Sequence, residues 1–237
     1  MKCIGLIGGM SWESTIEYYR IINQLTAEKL GDLHSAKILM HSVDFAEIEI
    51  LLKQGDWESI ERRMIEAALQ LETIGADCLL ICTNTIHKVA DHVQDQLDIP
   101  LIHIADVTAM EIQKMHLDTV GLLGTRFTME EDFYRKRLEQ DHNIRVLIPE
   151  EDERQIINGV IFNELVLGKI LPESKNAFLE IMDGLIKRGA QGIILGCTEI
   201  PLLIQQADVP VPVFDTTLIH ASSAVACALG ELRIEKW

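Results

Sequence analysis

The sequence predicts an α/β protein made of two pseudo-symmetric, duplicated subdomains, each a parallel sheet flanked by helices. Three observations carry this. Short, almost wholly apolar runs alternate with longer segments of helical period, the pattern of βαβ units. The runs lack the in-and-out alternation of half-buried strands, so their sheets are covered on both faces. Their order also recurs in the second half of the chain, where offsets of 116, 114 and 112 residues relate Ile4 to Val120, Thr83 to Cys197 and Pro100 to Pro212. Three landmarks at nearly constant offset indicate an internal repeat.

Taken in order, IGLIG (4–8) reads as a first strand, Ser14 to Leu30 as a helix and AKILMHSV (36–43) as a second strand. Trp57 to Ile74 reads as a helix, CLLIC (78–82) as a third strand, the stretch around His87 to Gln96 as a helix and PLIHI (100–104) as a fourth strand. The repeat brings VGLLG (120–124), IRVLIP (144–149), GIILGC (192–197) and VPVFD (211–215) as its strands, followed by a last helix at about 219–232. The expected halves are 1–115, joined by the returning C-terminal segment at about 217–237, and 116–216. Ligands of parallel α/β sheets sit beyond the carboxyl ends of the strands, so a cleft between two such halves is the expected place for an active site.

Composition excludes several classes of function. Lys and Arg number 21 against 37 Asp and Glu, a formal charge of −16. With no basic block to offset it, such a surface repels nucleic acid and anionic lipid. The longest apolar stretches fall far short of the roughly 20 residues of a membrane helix. The five cysteines are odd in number and have no metal-ligand spacing, and the chain opens on a strand in place of a signal peptide. A cytoplasmic protein with reduced thiols and no bound metal is expected.

The residues just after each strand are the candidates for chemistry. GLIGGM lacks the G-x-G-x-x-G spacing of a dinucleotide site, and its glycines suit close backbone approach to a small anion. In GCTEIPLL, Cys197 ends a strand and Pro201 suits the first turn of a helix. A thiol at a helix N-terminus is expected to ionise below its usual value of about 8.5; the alternative for a free cysteine is a small buried hydrophobe, preferred here for Cys3, Cys78 and Cys227. The repeat sets Thr83, not Cys82, opposite Cys197, and successive strand residues face opposite ways, which turns Cys82 from whatever Thr83 faces. Asn84 and Thr85 offer donors for a carboxylate. His87 either orients this loop or is structural at a helix start, and His103 and Asp215, which correspond under the repeat, are supporting candidates.

Together IGLIGGMSWEST, TNTIH, GLLGTRFT, GCTEIPLL and FDTTLIHA resemble the signatures of the aspartate/glutamate racemase family, in order and over nearly the whole chain, with the closest likeness to its broad-specificity amino-acid racemase branch. The resemblance implies racemisation of an amino acid without pyridoxal phosphate or any other cofactor. One cysteine thiolate removes the α-proton, and a second returns a proton from the opposite face. It also implies a homodimer. In this family the first cysteine lies in a C-N-T-x-H motif, and that slot is Thr83 here; the second cysteine matches Cys197.

The departure has a magnitude. An alcohol ionises nearer to water's roughly 15.7 than to a thiol's roughly 8.5, and about 7 units at about 1.36 kcal/mol each is roughly 10 kcal/mol. Thr83 is therefore no base, but it remains able to pass a proton to a carbanion, directly or through water. Family members acting on acidic side chains also carry an Arg after the second strand and a Lys in an IYxxxK-like segment, and here those places read Glu47 and Val166. The sequence-based site is thus Thr83 and Cys197 for catalysis, with Met10, Asn84, Thr85, Thr125, Glu164 and Thr198 for the substrate, and Arg126 or Thr125 for its side chain. Aspartate and glutamate are the expected substrates. Homoserine or broad-specificity racemisation, hydantoin racemase or maleate isomerase chemistry, hydrolysis through Cys197 and a non-catalytic amino-acid binding protein are the rivals.

Overall fold

The computed structural model describes residues 1–31 and 33–234, and the chain divides into two compact units: Met1–His103 joined by the chain from His220 onward, and Ile104–Ile219. Positions 235–237 of the expected returning segment lie outside the described residues.

The first unit runs β1 (Cys3–Gly8), α1 (Trp12–Leu30), β2 (Lys37–Ser42), α2 (Phe45–Gln54), α3 (Trp57–Thr73), β3 (Cys78–Ile81), a 3-10 turn over Thr85–Val89 and α4 (Ala90–Asp95). Its strands are parallel in the order β2-β1-β3. Helix α2 is absent from the sequence-based reading. It is a separate element because Asp44 caps it through Ala46 N (3.0 Å), Gly55 ends it in the left-handed region (φ 70°) and Asp56 caps α3 through Ser59 N (3.0 Å). One face of α3, Ile60, Met64, Ala67, Ala68 and Leu71, meets Ile7, Leu79, Ile81 and Leu101 in a single apolar cluster. The expected fourth strand at 100–104 shrinks to one parallel bridge, Leu79 to Leu101.

The strand is cut short because the next helix starts at once. The second unit runs α5 (Ile104–Lys114), β4 (Thr119–Gly124), α6 (Arg126–Glu130), α7 (Asp132–Lys136), β5 (Arg145–Leu147), α8 (Glu151–Asn163), α9 (Pro172–Lys187), β6 (Ile193–Gly196), α10 (Ile200–Leu203), β7 (Val213–Asp215) and the start of α11 (Thr216–Leu229). Its parallel sheet has the order β5-β4-β6-β7. Helix α5 joins this unit, twelve residues ahead of the boundary expected at 115, because Ile104, Ala105, Ala109 and Ile112 share an apolar cluster with Val120, Leu122, Tyr134 and Phe214.

The repeat is written in the pairing register. Gly5 pairs with Leu79 and Gly121 with Ile193. Carried along each strand, this makes Thr83 and Cys197 equivalent at the offset of 114. Leu79 pairs with Leu101 as Ile193 pairs with Val213, which makes His103 and Asp215 equivalent. Hydrogen bonds repeat as well. Leu79 N donates to Pro100 O and Ile193 N to Pro212 O, both at 2.9 Å. Gln94 clamps the fourth-strand position by accepting from Leu101 N (2.6 Å) and donating to Ile99 O (3.1 Å); Gln206 does the same with Val213 N and Val211 O, both at 3.0 Å.

Candidate active site

In the first unit the candidate residues follow β1 and β3, which adjoin through Cys82 N donating to Ile7 O at 2.9 Å. After β1, Gly9 lies at φ 91°, and a Cβ there would come within 2.3 Å of Val43 O, so the turn demands glycine. Its N–H donates to Thr15 Oγ1 (2.8 Å), while Ser11 caps α1 by accepting from Ser14 N (3.3 Å). Met10 has its side chain in the apolar cluster of the first unit.

After β3 the alternation is as expected. Cys82 is fully buried, and burial pushes its thiol well up, whereas Thr83 is partly exposed. Asn84 and Thr85 follow at the start of the 3-10 turn, both buried. The Thr83 carbonyl is held at 2.7 Å by His87 Nδ1, and since a carbonyl only accepts, that nitrogen carries the proton. His103 packs edge-on against His87, ring centres 4.8 Å apart.

In the second unit Gly124 pairs with Gly196, and a Cβ on Gly124 would come within 2.8 Å of Gly196 O. This close approach brings Thr125 and Cys197 to neighbouring strand ends. Thr125 caps α6 through Thr128 N (3.4 Å), its hydroxyl 3.2 Å from that of Thr128, which repeats the Ser11 and Ser14 arrangement of the first unit. Arg126 is exposed, and its backbone N–H is taken by Asn158 Oδ1 at 2.9 Å.

Cys197 corrects one expectation. Its thiol is not lowered by a helix N-terminus: α10 is a single turn of four residues, and Cys197 sits in an apolar cluster with Leu123, Ile161, Leu165 and Ile200. Burial first, and then the charge of Glu199, push the thiol well above its usual value. The Sγ–H donates to Glu199 Oε2 at 2.9 Å, and Thr198 Oγ1 donates to the same oxygen at 2.6 Å. Glu199, itself buried, is a polar neighbour of the thiol to which the sequence reading gave no role. The signal was present in the two-residue spacing within GCTE.

The other candidates fall in place or elsewhere. Glu164 ends α8, and its carboxylate accepts from Ser174 Oγ near the start of α9 at 2.5 Å. Asp215 accepts from Thr217 N (2.9 Å) and Leu218 N (3.1 Å), so it caps α11. Glu47 is ion-paired with Arg63, and Val166 packs on the apolar cluster of the second unit. Among the described residues no group of three or more His, Cys, Asp or Glu is arranged to hold a metal ion, and no helix is long and apolar enough to cross a membrane.

Comparison with known proteins places this geometry. The profile of the Asp/Glu/hydantoin racemases matches residues 7–224. A crystal structure from Yersinia pestis, provisionally named an Asp/Glu racemase, is 52% identical, with a TM-score of 0.92 over 97% of this chain and 100% of that one. An aspartate racemase homologue from Pyrococcus horikoshii is 36% identical, with a TM-score of 0.86 over 97% of this chain and 100% of its own. A broad-specificity amino-acid racemase of Bacillus subtilis is 24% identical over 96% of this chain and 98% of that protein.

Proposed function

Because this chain belongs to the Asp/Glu/hydantoin racemase family, we propose that it is a cofactor-independent amino-acid racemase acting on aspartate or glutamate, with Cys197 as acid and base and Thr83 in the second catalytic slot. One observation carries the reading: the strand register makes Thr83 and Cys197 equivalent, and the Cys197 thiol meets a buried carboxylate.

The resting pair is thiol and carboxylate. Glu199 accepts the thiol proton along the 2.9 Å contact, leaving Cys197 as thiolate. The thiolate takes the α-proton of the substrate, the C–H electron pair stays on the α-carbon, and Cys197 is again a thiol. A carbanion is a far stronger base than an alkoxide, so the Thr83 hydroxyl or a water beside it supplies the proton that completes inversion; the hydroxyl regains a proton from solvent and Glu199 releases one to solvent, which restores the resting thiol and carboxylate. Run backwards, the same path asks Thr83 to remove a proton, which an alcohol does poorly. Racemisation has an equilibrium constant of one, so the asymmetry is kinetic: one enantiomer reacts efficiently and the other slowly.

Backbone at Met10, the donors of Asn84 and Thr85, and the hydroxyls of Thr125 and Thr198 hold the amino and carboxyl groups of the substrate, with Glu164 toward its amino group. Wider or hydroxylated side-chain acceptance is a second reading. It is supported by Glu47 and Val166 at places where acid-specific relatives carry cations, and by full-length likeness to a broad-specificity enzyme. A homodimer is supported by Trp12, Ile16 and Tyr19, an exposed apolar row along α1; sedimentation equilibrium tests it.

The deciding experiment incubates the enzyme, without added cofactor, with each enantiomer of aspartate, glutamate and homoserine in heavy water, following chirality and α-deuterium together. Inversion with deuterium incorporation, faster from one enantiomer, is expected. Binding without α-proton exchange would leave a non-catalytic amino-acid binding protein in its place.

A further inference from the structure

The mechanism leaves a buried aromatic cluster of the first unit unused. His87, His103, His220 and Tyr18 are all essentially inaccessible to solvent. Their protonation follows from their partners. His220 Nε2 lies 2.7 Å from Ile102 O, so it carries a proton, and Nδ1 then accepts from Tyr18 OH at 2.8 Å. His87 is fixed in the opposite tautomer, with its proton on Nδ1 against Thr83 O at 2.7 Å. The His220 ring stands 5.5 Å from that of His87 at 63°, and the His103 ring stands 4.8 Å from it at 71°. Burial and the neighbouring His87 keep His220 neutral well below the usual range of histidine.

We propose that His87 is the positioning residue of the Thr83 slot, and that α11, through His220, holds His87 in place. The proposal rests on the racemase reading and deepens it. Its basis is a difference between the repeats. The residue equivalent to His87 at the offset of 114 is Pro201, and the Cys197 carbonyl is held by Ile200 N at 3.2 Å. Thus a backbone amide of the following turn fixes the thiol-bearing residue, and an imidazole fixes the alcohol-bearing one. That imidazole has two edge-packed neighbours, one of which is tied to α1 by Tyr18 and to the chain beyond β3 by Ile102. Two ring contacts restrict its rotation, and Nδ1–H keeps the Thr83 peptide from turning. An alcohol that must deliver a proton to one face of a carbanion needs that restraint more than a soft, polarisable thiolate does.

The test separates the two half-reactions on the full-length enzyme in heavy water. Exchange of the α-proton with retention needs Cys197 alone, whereas inversion needs the Thr83 slot. His87→Leu fills the space without the donor and is expected to lower inversion by about tenfold to a hundredfold, the loss of one buried hydrogen bond, with exchange under retention nearly unchanged. His87→Asn restores a donor near the Nδ1 position and is expected to recover most of the inversion. Equal losses in both half-reactions, or unchanged inversion in His87→Leu, overturn the proposal. Nitrogen-15 spectra of the wild-type histidines give a check free of catalysis and of folding in the variants: a ring protonated on Nδ1 is expected for His87, and the other tautomer overturns the assignment. A wild type that exchanges no α-proton instead fails the racemase reading, and the proposal with it.

Discussion

The loop after β3 and the loop after β6 leave sheets whose first three strands correspond in order, yet one presents a threonine whose backbone carbonyl is held by an imidazole and the other a thiol beside a carboxylate. What the two copies keep in common is scaffold: the capping hydroxyls, the glycine close approaches, the glutamine clamps and the carbonyl that each fourth-strand proline offers. What they do not share is every group able to move a proton. A duplicated fold therefore fixes where two groups stand and leaves open what they are.

That comparison can be broken most sharply at the thiol. Cys197→Ser is expected to lower α-proton exchange from the fast enantiomer by about 10³-fold, within the range for a lost general base, read as deuterium incorporation. Making the halves alike is the converse test. Thr83→Cys should raise the slow direction by on the order of a hundredfold and bring the two enantiomers toward equal efficiency; chiral chromatography of initial rates checks it.

The next effect concerns the carboxylate that only the second copy carries. Glu199→Gln is expected to lower kcat by about tenfold or more, as loss of a charge-assisted hydrogen bond does. The same change removes a negative charge from the thiol, so the pH midpoint of Cys197 alkylation by iodoacetamide should move down. Because the fold raises this thiol, its contribution to stability is complete below the ordinary thiol value of about 8.5 and is lost as pH climbs through the raised one. Melting temperatures of the wild type should therefore fall on the alkaline side more steeply than those of Cys197→Ser.

The smallest effect tests the shared scaffold. Gln94 is buried and Gln206 exposed, although they make the same pair of hydrogen bonds. Gln94→Ala should cost about 1 to 3 kcal/mol by leaving a buried amide unpaired, and Gln206→Ala less than about 1 kcal/mol; urea melts of the two variants compare them directly.

How far these features could be read from sequence follows from their range. The strands β1, β3, β4 and β6 declared themselves because both faces are buried and the runs are apolar, whereas β2, at the sheet edge, has no buried residue; the offset at Thr83 and Cys197 already contained the register. Helix α2 was hidden because its ends depend on caps at Asp44, Gly55 and Asp56 and, of its apolar residues, only Ile48 is fully buried. The strand at 100–104 was overread, since Ile104 is equally at home as the first residue of a helix packed on Phe214. The thiol follows β6 as the strand pattern put it, and its ionisation was misjudged: one turn of helix is a weak dipole, and a carboxylate two residues away acts in the opposite sense. The pairing of Tyr18 with His220 spans 202 residues and leaves no local trace.

The path of the chain also sets an order of assembly. The second unit is one continuous stretch, Ile104–Ile219, whereas the first needs residues from His220 onward: Lys2 N donates to Ala228 O at 2.9 Å, and Tyr18 reaches His220. During synthesis, when domains generally fold as units from the N-terminus, the half that begins first is the half that finishes last. Its sheet waits, with α1 and the Thr83 loop unsupported by α11, until the residues of α11 have left the ribosome.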